Sequence, residues 1–140
     1  MHIKYLVHLL GDMHCPTHVY YYPDNMTLGK FPVKLHGVET NYHKIWDGQL
    51  LDSRHKFWGF QDYRHALDNY TDEEIARMTE GTPVEWFEES ARRCREIYDW
   101  VQPGDELGQE FYNAHAPFAE YQLVLSGYRL AKVLNALFDR

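Results

Sequence analysis

Histidine and aspartate recur four residues apart at two places in the chain, His8 with Asp12 and His43 with Asp47. On a helix that spacing sets both side chains on one face, roughly 5–6 Å apart at Cβ. Both segments must therefore be helical if each pair is to act as a unit. Imidazole nitrogen and carboxylate oxygen suit a divalent cation such as Zn²⁺. His18 joins the set from another direction, because Pro16 biases Cys15 away from the α region and should end the first helix. The candidate ligands are thus His8, Asp12, His18, His43 and Asp47. A lone pair of this kind is commonly only a helix-stabilising surface contact. Two pairs among apolar and aromatic residues leave a metal centre and surface pairing as alternatives that spacing does not separate.

The surrounding residues carry the reading further. His8-Leu9-Leu10-Gly11-Asp12 continues to Pro16 and His18, and Thr40-Asn41-Tyr42-His43-Lys44-Ile45-Trp46-Asp47 follows. Later come Trp86-Phe87-Glu88-Glu89-Ser90, Gly127-Tyr128-Arg129-Leu130-Ala131 and Leu134-Asn135. Together these resemble the S1/P1 nuclease family, zinc-dependent phosphodiesterases related to the zinc phospholipases C. The family pattern reads H-x-x-G-D-x-x-x-P-x-H and then T-N-x-H-x-x-W-D, and both halves fit. Family members are nearly twice this length, so the resemblance implies that residues 1–140 are the C-terminal portion of a single such domain. The expected fold is all-α, a truncated multi-helix phospholipase C/P1 nuclease-like domain with at most a small β element.

The resemblance also implies roles. His8 and Asp12 would belong to a close zinc pair, with Asp12 bridging the metals as the catalytic carboxylate. His18, His43 and Asp47 would hold a third zinc, the one complete metal site expected here. The implied reaction is endonucleolytic hydrolysis of single-stranded DNA or RNA, with water activated by metal for attack on phosphorus. The partial domain would be weak or inactive alone. A phospholipase C-like phosphodiesterase and a non-catalytic helical metal-binding fragment are the alternatives. Ser53, Ser90 and Ser126 suggest no acyl-transfer triad. Many family members carry Gly-Gly-Asn, which helps shape the nucleotide site, where this chain has Thr27-Leu28-Gly29.

A net charge of −7 excludes a basic nucleic-acid-binding surface. It is compatible with a metallonuclease, because bound cations supply positive charge where phosphate sits. There is no membrane-spanning run and no signal peptide in the chain; family resemblance implies secretion or a periplasmic location. Cys15 and Cys94 are the two cysteines. Cys15 is a possible soft donor, but the family ligands are nitrogen and oxygen.

Along the chain, Ile3 to Met13 reads as a buried helix, rich in Leu, Val and Tyr. Val19 to Lys30 is irregular, with a turn at Pro23-Asp24-Asn25. Phe31 to Leu35 is expected as a short strand turned by an exposed His36-Gly37. Thr40 or Asn41 should cap the helix of His43 and Asp47, which Gly48 keeps short. Trp46 should pack behind the metal site. Phe57 to Asn69 reads as a helix with Trp58, Phe60 and Tyr63 in the core, and His55 and His65 as surface residues. Capping boxes open helices at Thr71 and Thr82, the second with Pro83. Val84, Phe87, Ala91, Cys94, Tyr98 and Val101 form an apolar stripe. Leu107 to Ala114 is a short helix before Pro117, and Phe118 to Phe138 a long one packed through Leu123, Gly127, Leu130, Leu134 and Phe138. Glu88-Glu89 and Arg92-Arg93 read as a solvated, ion-paired face. His14 reads as solvated or as a support to a ligand. The first helix has more apolar residues than one buried stripe needs, so self-association, or association with a missing N-terminal half, is expected. A second copy is expected to be able to lend His2 or His14 to the His8–Asp12 pair.

Overall fold

The computed structural model describes residues 3–19 and 29–139. The turn expected at Pro23-Asp24-Asn25, the Thr27-Leu28 departure and His2 lie outside them. Helix α1 (Ile3–Asp12) gives way to turns before Pro16, as the proline requires. Strand β1 (Pro32–Leu35) pairs antiparallel with β2 (Val38–Asn41), Val33 opposite Thr40. His36 (φ 49°) and Gly37 (φ 81°) turn the hairpin in the left-handed region, the conformation that matches strand twist in two-residue hairpins. Strand β3 (Glu106–Leu107) adds to β1 in parallel, giving the order β2-β1-β3. Among the described residues all else is helical or irregular, so the fold is all-α with a small sheet.

Asn41 ends β2 and caps the next helix, its Oδ1 accepting from the Lys44 N–H at 3.0 Å. Helix α2 (Tyr42–Lys44) widens into a π turn (Ile45–Gln49), where Gly48 leaves helical geometry, and continues as α3 (Leu50–His55). Gly48 therefore kinks the segment without ending it. Helix α4 spans Phe60–Leu67. Capping boxes open α5 (Asp72–Met78) and α6 (Pro83–Arg95) at Thr71 and Thr82, each cap contributing about 1 kcal/mol.

The last helix corrects the sequence reading. Residues Gln109–Phe138 form one helix, α7, straight through Pro117. Proline removes one helical hydrogen bond, but burial of Tyr112, Ala116, Gln122, Leu125 and Arg129 on either side holds the helix together. Its buried face is not the one expected: Leu123 and Phe138 are exposed, and a Cβ on Gly127 would meet nothing within 4 Å. Gly127 therefore serves no close helix contact. The stripe of α6 is rotated only at its start: Val84 and Phe87 face out and Trp86 and Ser90 are buried in their place, while Cys94 and Val101 are buried as expected. The aromatic indole and the small serine take the interior, a choice that hydrophobic periodicity does not register.

Helix α4 has no buried residue, and Phe60 is 76% exposed. Trp58, Phe60 and Tyr63 thus do not form core. The segment grips the body through its ends instead. Trp58 stacks on His55 at 3.6 Å, and Tyr128 donates to Asp68. His55, expected at the surface, is buried with its Nε2 3.3 Å from Glu120. His65 is exposed as expected.

Two buried clusters pack along α7, the larger at its N-terminal half and the smaller toward its C-terminal half. The larger joins Val33, Leu35, Tyr42, Ile45, Trp46 and Leu50 to Ile97, Val101, Leu107, Tyr112 and Ala116. The Tyr42 hydroxyl donates to the Ile97 carbonyl at 2.6 Å. The smaller joins Leu10, Met13 and Val19 to Trp86 and Cys94. Helix α1, expected to be buried, packs on α7 with Leu10 its only buried residue and leaves Ile3, Tyr5, Val7 and Leu9 facing outward.

Candidate metal centre

The five candidate ligands come together where the end of α1, the turn after it and the α2–π segment meet. His8 Nε2 lies 3.3 Å from Asp12 Oδ2. Asp12 Oδ1 is 3.3 Å from His18 Nδ1. The other nitrogen of His18, Nε2, is 2.9 Å from Asp47 Oδ1, and Asp47 Oδ2 is 3.4 Å from His43 Nε2. The His18 and His43 rings stack with centroids 5.1 Å apart. The result is an unbroken run His8–Asp12–His18–Asp47–His43, with His8 largely exposed at one end and His43 largely covered at the other (68% and 16%).

Backbone and core fix this geometry. The His43 N–H donates to the Gly29 carbonyl at 2.7 Å. Gly29 has φ 72°, and a Cβ there would lie 3.3 Å from both Thr17 and the Tyr98 hydroxyl, so only glycine fits without displacement. Trp46 is buried behind the cluster, edge-on to Tyr42 and Phe118, as expected. Asp12 and Asp47 clamp His18 from opposite sides, one on each ring nitrogen. A carboxylate on one imidazole nitrogen orients the other toward a metal.

Cys15 was outside the ligand set on sequence grounds, yet its Sγ lies 3.9 Å from Asp47 Oδ1 and 3.7 Å from the Trp46 carbonyl. Burial pushes its thiol up; the Thr17 hydrogen bond opposes this and the nearby Asp47 and Asp12 add to it. Cys15, His18 and Asp47 each offer one ligand atom within 4.8 Å of the others. Cys15 and Cys94 are both free, so they do not pair.

His14 is neither solvated nor a ligand neighbour. It is 2% exposed, donates through Nδ1 to the Leu10 carbonyl (2.7 Å), and accepts at Nε2 from Arg129 (3.0 Å). Burial lowers its pKa, consistent with a neutral ring accepting from arginine. A second copy therefore has no access to it. Arg129, itself 3% exposed, also donates through Nε to the Met78 carbonyl (2.9 Å) and through Nη2 to Glu89. Gln122 donates to the His14 carbonyl at 3.1 Å. These α7 side chains hold the turn between Asp12 and His18. Their spacing, 122, 125 and 129, follows one helical face, which was the available signal. Glu89 is thereby drawn off the solvated face assigned to it, although its pair with Arg93 (2.8 Å) is as expected.

The donor set of imidazoles and carboxylates fits zinc. The S1/P1 nuclease family profile matches residues 1–139. Endonuclease 4 of Arabidopsis thaliana is 26% identical, with 98% of this chain and 50% of that protein aligned. Endonuclease 2 of the same plant is 27% identical over 97% of the chain and 51% of its own length. Nuclease S1 of Aspergillus oryzae is 26% identical over 96% and 53%. The chain thus spans about half the length of the curated relatives it matches.

Proposed function

The chain belongs to the S1/P1 nuclease family, and from that premise we propose that it is the C-terminal portion of a zinc-dependent endonuclease acting on single-stranded DNA or RNA. The observation that carries this is the unbroken run of five donor side chains, His8–Asp12–His18–Asp47–His43. In this reading His18, His43 and Asp47 would hold one zinc, and His8 and Asp12 would supply ligands to further zinc. Zinc, when bound, activates water at neutral pH and offsets charge on the phosphate. The protein's own part is orientation. Asp12 and Asp47 fix the His18 ring, the Asn41 cap and Gly29 aim His43, and Trp46 seals the site from behind. The negative net charge leaves substrate attraction to the metals. Export from the cell is part of the same proposal, by family likeness.

Two ligands do not make a close metal pair, and the match spans only half of each relative. The isolated chain with added zinc is therefore expected to hydrolyse single-stranded DNA no faster than buffer with zinc. Robust turnover that disappears in Asp12→Ala would show that the five residues suffice, contrary to this reading.

The outward face of α1 bears on partners. Tyr5 and Leu9 are 66% and 57% exposed, and contiguous apolar surface marks an interaction site. We infer that in the isolated chain this face meets a second copy. Light scattering should show mass rising with concentration, and Leu9→Glu should abolish the rise. A folded wild-type chain that stays monomeric at high concentration would sink the inference.

A further inference from the structure

We propose that Cys15 supplies a sulfur donor to the metal held by His18, His43 and Asp47, a ligand that the family pattern lacks. The proposal rests on the zinc reading above and adds one donor to it. In a tetrahedral zinc site with bonds of about 2.3 Å to sulfur and 2.0 Å to oxygen or nitrogen, sulfur and oxygen donors stand roughly 3.5 Å apart and nitrogen and oxygen roughly 3.3 Å. The Cys15 Sγ to Asp47 Oδ1 separation is 3.9 Å, and that from His18 Nε2 to the same oxygen is 2.9 Å. Both edges lie within a few tenths of an ångström of a metal site. Cys15 Sγ, His18 and Asp47 also converge mutually within 4.8 Å.

The approach of the sulfur is built in by the chain. Pro16 breaks α1 after Asp12, and the turn that follows brings Cys15 beside the Trp46–Asp47 backbone. His14, one residue earlier, is pinned to Leu10 and Arg129, so the turn has little freedom to carry Cys15 away. On metal binding the S–H proton passes to solvent and the sulfur lone pair goes to the metal. Two imidazoles, one carboxylate and one thiolate make four protein donors. That set resembles a closed structural site more than an open catalytic one, although zinc also accepts a fifth ligand in a transition state. The soft donor should tighten binding and shift the centre toward thiophilic metals.

Cobalt(II) loaded into the chelator-stripped chain separates this claim from the one beneath it. Intense ligand-field absorption in the visible reports a low-symmetry four-coordinate site, and a near-ultraviolet sulfur-to-cobalt charge-transfer band reports the thiolate bond. Both are expected in the wild type. Cys15→Ser should lose the charge-transfer band, keep visible absorption, and bind zinc at least roughly 10-fold more weakly. Visible bands without charge transfer in the wild type would overturn the sulfur ligand while leaving the zinc reading intact. Absence of both would overturn the two together. Iodoacetamide labelling of the wild type, read by mass spectrometry with Cys94 (0% exposed) as internal reference, needs no variant to fold. Zinc should slow Cys15 alkylation by at least about 10-fold, and equal labelling with and without zinc would overturn the proposal.

Discussion

Arg129→Met is expected to lower the unfolding free energy by about 3–5 kcal/mol. The guanidinium is 3% exposed and donates to Met78, His14 and Glu89 while lying over the Trp86 ring. Methionine fills much of the volume but leaves an orphaned carbonyl, an imidazole nitrogen and a carboxylate, each costing roughly 1–3 kcal/mol when unmade and buried. Glu89 keeps some access to water, which limits its share. Arg129→Lys should fall between, retaining the charge but not the planar fork. Denaturant unfolding measures all three proteins, and a change under about 0.5 kcal/mol would place Arg129 among ordinary surface positions. The pH dependence should change with it. Burial alone would raise the Glu89 carboxyl, but Arg129 and Arg93 outweigh it and hold it below the usual range. A depressed carboxylate stabilises the fold above its unfolded pKa, and the gain is lost as pH falls through the folded value. The wild type should therefore lose more stability on acidification than Arg129→Met.

His43→Ala and Asp47→Ala are each expected to weaken zinc binding by more than about 100-fold, beyond the loss typical of outer hydrogen-bond partners of a metal site. Asp47 bridges His18 and His43 through its two oxygens, so its removal separates both rings from a common centre. His43 is the most covered of the five, and its backbone N–H is bonded to the Gly29 carbonyl at 2.7 Å. Binding should also weaken on acidification, since neutral imidazole is the liganding form. Calorimetric titration of chelator-stripped protein checks these expectations. Equal zinc content in wild type and His43→Ala after re-loading would remove these residues from the centre. Arg129→Met should bind zinc more weakly as well, because it frees the turn that carries His18.

Local chemistry made much of this legible. Helix caps at Asn41, Thr71 and Thr82, the hairpin turn at His36-Gly37 and the break at Pro16 are short-range signals, and each lies where the sequence put it. The five candidate ligands were likewise readable, because i,i+4 spacing and a proline break set their directions before any packing. Long-range competition was not readable. Phe60 and Phe87 are apolar enough for a core but lose the interior to Trp86, Ile97 and Trp46. Pro117 looked like a helix boundary, and the α7 face from Tyr112 to Arg129 overrode it. His14 and His55 show the same limit for polar residues. Each is buried because a partner distant in sequence, Arg129 or Glu120, satisfies it.

The widened turn at Ile45–Gln49 has a consequence for how this chain would tolerate a change of length. A π turn is one residue longer than the α turn it replaces. Deleting Gly48, the residue that leaves helical geometry, is expected to let α2 and α3 run on as one helix. It would also rotate everything after the deletion by about 100° relative to His43. Leu50, now 1% exposed against the larger core, would swing off it, or else His43 and Asp47 would turn away from His18. Point substitutions in this turn are graded in their effects, whereas a one-residue deletion is all or nothing. Gly48, which leaves helical geometry inside the turn, marks where that extra residue is stored.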